Sequence, residues 1–262
     1  MSSIFIHLLS TKWLHEFLSS IDYSTTQNFD PFNNTSQGTK KDEQPSFASR
    51  VKLIWPTVET IRTSVEGYRG GASVPGRVDN LEKDFLQPLY HRYKSQYGGS
   101  NSGQSLLKSA HHIPHIKTFV QPSPSSANGI EWLLLTSHNL SKAAWGEMQK
   151  SAQSTTGEKS LFVASWELGI FISPSTLAKK LASSGGAVGN DICMTPYPGI
   201  SAADSTGVIN LDDSEDDEYE SCSTKVLVPL PYDMNPEPYE RTDVRWAVDR
   251  SCYLPDAFGM TT

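Results

Sequence analysis

Three short constellations in this chain carry residue types suited to a phosphate. The first is Pro114-His115-Ile116-Lys117-Thr118, an H-x-K unit. On a strand, residues two apart face one side, so a strand over 115–120 sends His115 and Lys117 together and turns Ile116 and Thr118 away. A lysine ammonium neutralises a non-bridging phosphoryl oxygen, and an imidazole attacks phosphorus or exchanges a proton near pH 7. Alone the unit is weak, and a partly exposed strand is the plainer explanation. The second constellation runs from Leu134 to Gly146, L-L-T-S-H-N-L-S-K-A-A-W-G. It reads as a buried strand that turns into a helix at a polar knot. Ser137, Asn139 and Ser141 lie where free backbone N–H groups and the helix dipole favour an anion. Asn139 has an amide N–H to give a phosphoryl oxygen; an ordinary N-cap is the plainer reading. The third is Ser165-Trp166-Glu167-Leu168-Gly169. A carboxylate inside an otherwise apolar strand is costly unless paired, and an imidazole is a suitable partner. The alternative is an edge-strand glutamate facing solvent.

The elements that must position these residues follow from hydrophobic period. Trp13, Leu14, Phe17 and Leu18 predict a helix over 11–20. A short strand is expected over 51–55, stopped by Pro56. Thr57 is a candidate N-cap for a helix over 57–66 with Val58, Ile61 and Val65 on one side. A glycine-rich loop at 67–73 and a helix over about 81–97 come next. Strands are expected over 115–120, 131–136 and 160–173, with helices over 141–151 and 176–181. Residues 23–47, 98–110 and 183–224 have linker composition. Strands mixed with helices of this length imply a layered α/β domain. The organisation expected is an N-terminal helix and polar linker (1–47), an α/β core with the H-x-K unit (48–182), an acidic linker (183–224) and a C-terminal segment packing on the core (225–262).

Composition constrains the partners. The 262 residues carry a formal charge of -7, but 204–220 hold eight of the 29 acids and no base. The remainder is near neutral, which leaves room for a local basic cleft. No stretch of about 18 apolar residues is present, so no membrane-spanning helix is expected. The first residues lack a basic n-region and a cleavage site, so a secretory signal is not expected. Three cysteines without metal-ligand spacing favour a reduced intracellular compartment.

Taken together, P-H-I-K-T, then T-S-x-N-L-S-K-A-A-W-G, then S-W-E-L-G resemble the second half of the tyrosyl-DNA phosphodiesterases, members of the phospholipase D superfamily. Pro122 stands where ordinary superfamily members carry an Asp, and Asn139 supplies the polar group instead, which is typical of the tyrosyl-DNA branch. Residues 53–59, 62–68, 70–73 and 230–233 agree with the same family. The resemblance covers about 12–259 and breaks at the linkers. It implies a phospholipase D-like layered α-β-α domain with a mixed sheet, one half of the usual two-domain enzyme. It implies hydrolysis of 3′-phosphotyrosyl and other 3′-end phosphodiesters of DNA, in repair of topoisomerase adducts. In the family two H-x-K units meet across a cleft. The first histidine attacks phosphorus. The second protonates the leaving tyrosine and then activates water, and His115 matches that second histidine. Lys117 and Asn139 would hold non-bridging oxygens, and Glu167 would orient a catalytic imidazole. Ser73, Lys83, Ser141 and the main chain at Ala143 would contact the backbone of single-stranded or end-frayed DNA. No metal or other cofactor is implied, and the nucleus is the implied location.

Departures from the family pattern are informative. No other histidine is followed two residues later by Lys, so a first H-x-K unit is absent from the sequence. His138 stands where small residues are usual, and a W-x-W becomes Trp246-Ala247-Val248. Self-association, a separate N-terminal half, or a catalytically incomplete chain that binds DNA or a partner would each accommodate a single unit. Val208, Ile209 and Leu211, followed by an acidic run, resemble a SUMO-interaction motif; a solvated acidic linker is the plainer reading.

Overall fold

The computed structural model describes residues 6–7, 9–21, 50–93, 112–113, 115–124, 126, 128–150, 158–183, 192–197 and 224–262. Strand β1 (Ile6–His7) precedes helix α1 (Thr11–Ile21). The helix forms where expected. Ser10 Oγ accepts from the Trp13 N–H at 3.3 Å, and Trp13, Leu14, Phe17 and Leu18 are all buried. Strand β2 (Leu53–Trp55) leads into α2 (Val58–Arg62), capped by Thr57, whose side chain accepts from Thr60 N at 3.0 Å. The helix stops well short of residue 66: Thr63 is its C-cap, and Val65 beyond it is exposed rather than on the buried side. A 3-10 turn (Gly67–Ser73), α3 (Val78–Leu81) and a second 3-10 turn (Asp84–Leu89) lead to β3 (Tyr90–Arg92), which pairs parallel with β2. Over 81–93, the described part of the helix expected over 81–97, no continuous helix is formed. Pro88 lacks the N–H that a continuing helix needs, and 90–92 take their backbone bonds from β2 and the C-terminal segment instead.

The sheet that matters for function is antiparallel, in the order β4 (Lys117–Pro122), β5 (Ile130–Thr136), β9 (Gly169–Ile172). Between β5 and β9 lie β6 (Leu140–Ser141), the one-turn helix α4 (Lys142–Trp145), and a hairpin of β7 (Glu147–Lys150) with β8 (Lys159–Phe162). Two expectations are corrected here. The helix over 141–151 ends at Gly146, whose φ of 89° breaks the turn and starts β7. The strand over 160–173 divides into β8 and β9, with 163–168 looping out between them. Helix α5 (Pro174–Ser183) contains the helix expected over 176–181, and β10 (Ile192–Pro196) pairs parallel with β11 (Thr224–Val228). Residues 23–47 and 98–110, and the motif at Val208, Ile209 and Leu211, lie outside the described residues.

Adjacent residues of β4 face opposite ways, so its two sides build two cores. Phe119 belongs to the larger core with α1, β2 and the 3-10 turns; Val120 belongs to the second, with Ile130, Leu133, Met194, Val228 and Tyr232. On the α1 side, Trp13 stacks on Phe17 at 5.2 Å between ring centroids. Phe17, Phe119 and Trp145 then meet edge to face at 5.0–6.2 Å. The indole N–H of Trp13 donates to Gly146 O at 2.8 Å. Helix α1 thus clamps the end of α4 against β4, which fixes the ground on which the candidate site stands. Among the described residues no helix is long and apolar enough to cross a membrane. Cys193 is disulfide-bonded, contrary to the expectation of reduced thiols, while Cys252 is free and buried.

Candidate functional site

Lys117 is the first residue of β4 and only 7% exposed. A buried ammonium must have acceptors. It donates to His115 O at 3.1 Å and lies 3.1 Å from His115 Nε2. Nζ also lies 3.4 Å from His115 Nδ1, and an ammonium this close to the ring disfavours a second positive charge, so the imidazole is neutral. Burial pushes His115 below its ordinary 6.5, and the Lys117 charge beside it pushes the same way. Burial also lowers Lys117, against an opposing pull from Glu167. His115 itself precedes the strand, which corrects the expectation that both residues share one strand. The pair meets because the lysine reaches back. Thr118 does turn away, to hydrogen-bond Tyr232 at 2.5 Å between oxygens.

Register decides what lies beside Lys117. It pairs with Thr136 of β5, and Thr136 pairs with Gly169 of β9. Facing residues in an antiparallel pair share a side of the sheet, so Lys117, Thr136 and Gly169 form one row. The glycine has a steric reason: a Cβ there would lie 2.7 Å from Thr136 Oγ1 and 2.8 Å from Thr136 Cβ. Gly169→Ala is therefore expected to cost about 1–3 kcal/mol of stability by overpacking. The urea midpoint measures this, and an unchanged midpoint would show that the row relaxes freely.

Glu167 is not inside a strand; it lies in the loop between β8 and β9. It takes hydrogen bonds from Ser137 Oγ at 2.5 Å and Ser165 Oγ at 2.9 Å, so two serines rather than an imidazole hold it. The loop is anchored by Ser137 N to Leu168 O at 3.0 Å, and by Ala164 N and Ser165 N to Ala143 O at 2.9 and 3.1 Å. Burial lowers both Lys117 and His138, and Glu167 acts through its field to offset part of that lowering. Asn139 is half-buried, and its Oδ1 is buried without a hydrogen-bond partner among the described residues. Ser141, also buried, caps α4 by accepting from Ala144 N at 3.2 Å.

Lys83 donates to Leu9 O at 2.7 Å; burial, then the charge of Lys142, lowers its pKa, so the two lysines share one region. Leu9 follows β1, which pairs with β6 at His7↔Ser141, and this brings Lys83 towards Ser141 and Ala143. Lys142 is itself paired with Glu147 at 2.5 Å. Ser73 bonds Gly70 O at 2.7 Å. Its turn reaches the segment before His115, because a Cβ on Gly70 would meet Ile113 Cδ1. Sequence reasoning placed Ser137 at an anion-favouring turn rather than on Glu167, and did not find Thr136, Ser165 or Gly169 as supports; for Thr136 and Gly169 the period-2 register opposite Lys117 was the available signal. Among the described residues no group of three His, Cys, Asp or Glu is placed to hold a metal.

Histidines kept neutral by burial make acid destabilising. His91, buried with Nδ1 2.8 Å from Leu89 O, is lowered by burial, as are His115 and His138. Their folded values lie below the unfolded 6.5, so the unfolded chain takes up protons first as pH falls. Stability should be full above about pH 6.5 and decline below it. Urea midpoints at pH 8 and 5.5 test this; an equal or higher midpoint at pH 5.5 contradicts it.

Comparison with known proteins shows which family the chain resembles. The family model for tyrosyl-DNA phosphodiesterase matches residues 1–240. Tyrosyl-DNA phosphodiesterase 1 of Arabidopsis thaliana is 32% identical over 265 residues, covering 96% of this chain and 36% of that protein. A probable tyrosyl-DNA phosphodiesterase of Caenorhabditis elegans is 37% identical over 125 residues, covering 47% of this chain and 25% of that protein. The chain thus spans about a third or less of the length of these relatives. A crystal structure of a yeast tyrosyl-DNA phosphodiesterase mutant matches with a TM-score of 0.50 at 13% identity, over 94% of this chain and 47% of that one, which bears on fold alone. With an α/β architecture, a matching family model and relatives of one description, this chain belongs to the tyrosyl-DNA phosphodiesterase family and has its phospholipase D-like fold.

Proposed function

We propose that this chain acts on 3′-phosphotyrosyl, and related 3′-end, phosphodiesters of DNA in the repair of topoisomerase adducts. The observation that carries this is the buried Lys117 ammonium held 3.1 Å from a neutral His115 ring nitrogen at the mouth of β4. Arriving phosphate oxygens offer the ammonium a better acceptor than imidazole, which frees Nε2. His115 takes up a proton at Nε2 from solvent, favoured by the arriving negative charge, and gives it to the tyrosine oxygen as water attacks phosphorus and the bond from phosphorus to that oxygen breaks; the neutral ring then accepts the proton the water gives up, leaving tyrosine and a 3′-phosphate. Lys117 and the amide N–H₂ of Asn139 hold the non-bridging oxygens. Glu167, fixed by Ser137 and Ser165, balances the charge of the site and is available to an imidazole brought to it. Ser73, Lys83, Ser141 and the main chain of Ala143 contact the backbone of single-stranded or frayed DNA, so sequence preference is slight. The place of action is the nucleus, where such adducts arise.

A second reading has its own observation. The face around the Glu167 loop exposes Leu161, Phe162, Trp166, Leu168, Ile170 and Phe171, with Trp166 fully exposed, and the sequence holds a single H-x-K unit. Such a patch marks a partner surface, and the chain would then bind DNA but act only with a second unit, from another copy or a separate half. The test is a single-stranded oligonucleotide ending in 3′-phosphotyrosine with protein in excess. Tyrosine release by the chain alone supports the first reading. Tight binding without release supports the second. Absence of both overturns the pair. Binding of SUMO through Val208, Ile209 and Leu211 remains a separate proposal, tested by titrating a 204–222 peptide; no binding at high micromolar concentration removes it.

A further inference from the structure

His138 is an imidazole at this site that none of the roles above employs. Its position is fixed on two sides. Thr136, directly opposite Lys117, lies with Oγ1 2.5 Å from His138 Nδ1. The Trp145 ring packs against the imidazole at 4.6 Å between centroids. The threonine hydroxyl accepts from His138 N at 3.1 Å, and its one proton has two acceptors in reach, Leu168 O at 3.1 Å and Nδ1. Nδ1 is thus engaged in either tautomer, and Nε2 has no hydrogen-bond partner among the described residues. The ring is neutral: burial lowers its pKa, and Glu167, the charged group that faces it, only partly offsets this. The next residue is Asn139, and Lys117 faces the threonine that holds the ring. A basic nitrogen on a fixed ring is thus built into the edge of the phosphate site.

We infer that His138 is a phosphate-contacting residue that recognises the 3′-phosphate monoester end of DNA, the ring taking up a proton and its Nε2–H donating a hydrogen bond to a phosphate oxygen. A diester carries one negative charge, whereas a terminal monoester approaches two near pH 7. A second imidazole that charges on contact with the dianion favours the monoester, so His138 grips the phosphate-ended product more than the tyrosyl-ended substrate. This rests on the reading of the cleft as a phosphate site.

The test follows the imidazole resonances by NMR through a pH titration, with a 3′-phosphorylated and a 3′-hydroxyl single-stranded oligonucleotide. The 3′-phosphate should move the titration midpoints of both His115 and His138 upward, and the 3′-hydroxyl should move neither. His138→Gln should weaken binding of the 3′-phosphorylated oligonucleotide about tenfold at pH 6 and little at pH 8.5, flattening the pH dependence. A response from His115 without one from His138, or an unflattened dependence in the variant, overturns this inference alone. Silence from both imidazoles overturns the underlying reading of the cleft as well. The resonance measurement is made on the unaltered protein, so a poorly folded variant does not remove the test.

Discussion

His115→Ala is expected to lower single-turnover release of tyrosine from a 3′-phosphotyrosyl oligonucleotide by about 10²–10⁴-fold, the usual range for loss of a positioned general acid–base. The reasoning is local. The tyrosine oxygen must gain a proton as it leaves, and the water must lose one. His115 is the imidazole held within 3.1 Å of the buried ammonium that fixes the phosphate. Removing the ring leaves Lys117 and Asn139 in place, so affinity for the same oligonucleotide should change by less than about threefold. That split separates a proton-transfer role from a structural one, since loss of folding lowers both. An equal fall in rate and affinity would contradict the assignment.

Trp246→Ala is expected to lower the unfolding free energy by about 3–5 kcal/mol, the range for removing a buried tryptophan. Trp246 is 3% exposed and bonded from three directions. Its indole N–H donates to Gly71 O at 2.9 Å, its backbone N–H to Pro56 O at 3.1 Å, and its carbonyl accepts from Trp55 Nε1 at 2.9 Å. It stacks on Tyr68 at 5.9 Å between centroids. Gly71 lacks a side chain for a visible reason, since a Cβ there would overlap the indole ring. The alanine variant loses the stacking, leaves a cavity and strands the Gly71 carbonyl. Trp246→Phe keeps most of the volume and should recover more than half of the loss. Denaturant midpoints for the two variants test both statements. A loss under about 1 kcal/mol for alanine would mean that the C-terminal segment docks independently of this residue. Because the Gly67–Ser73 turn leans on this indole, the same variant should also weaken DNA binding through Ser73.

Local signals in the sequence were reliable where a single element decided the outcome. The 3.6-residue period of Trp13, Leu14, Phe17 and Leu18 yields α1, the Thr57 cap yields the start of α2, and the apolar run before Ser137 yields β5. They failed where a distant partner decided it. The alternation over 160–173 resembles one strand, but Ala164 and Ser165 give their N–H groups to Ala143 and Glu167 turns to Ser137, so the chain leaves the sheet for six residues. Residues 81–97 have helical spacing, yet β2 captures 90–92. The site shows the same division. The proximity of His115 and Lys117 was legible from their spacing, although a back-reaching lysine rather than a shared strand produces it. The clamp on His138 was not legible, because it depends on Thr136 facing Lys117 and on Gly169 leaving room for that threonine.

The most direct test of the account is equilibrium binding of two oligonucleotides that differ only in ending with 3′-phosphate or 3′-hydroxyl, to the native chain and to Lys117→Met, at pH 7. The phosphorylated end should bind at least about tenfold more tightly to the native chain, as expected for charge-assisted bonds from Lys117 and Asn139, and the preference should vanish in the variant. Equal affinity for the two ends, or a preference that survives the loss of Lys117, would contradict the claim that this cleft receives the 3′-phosphoryl group.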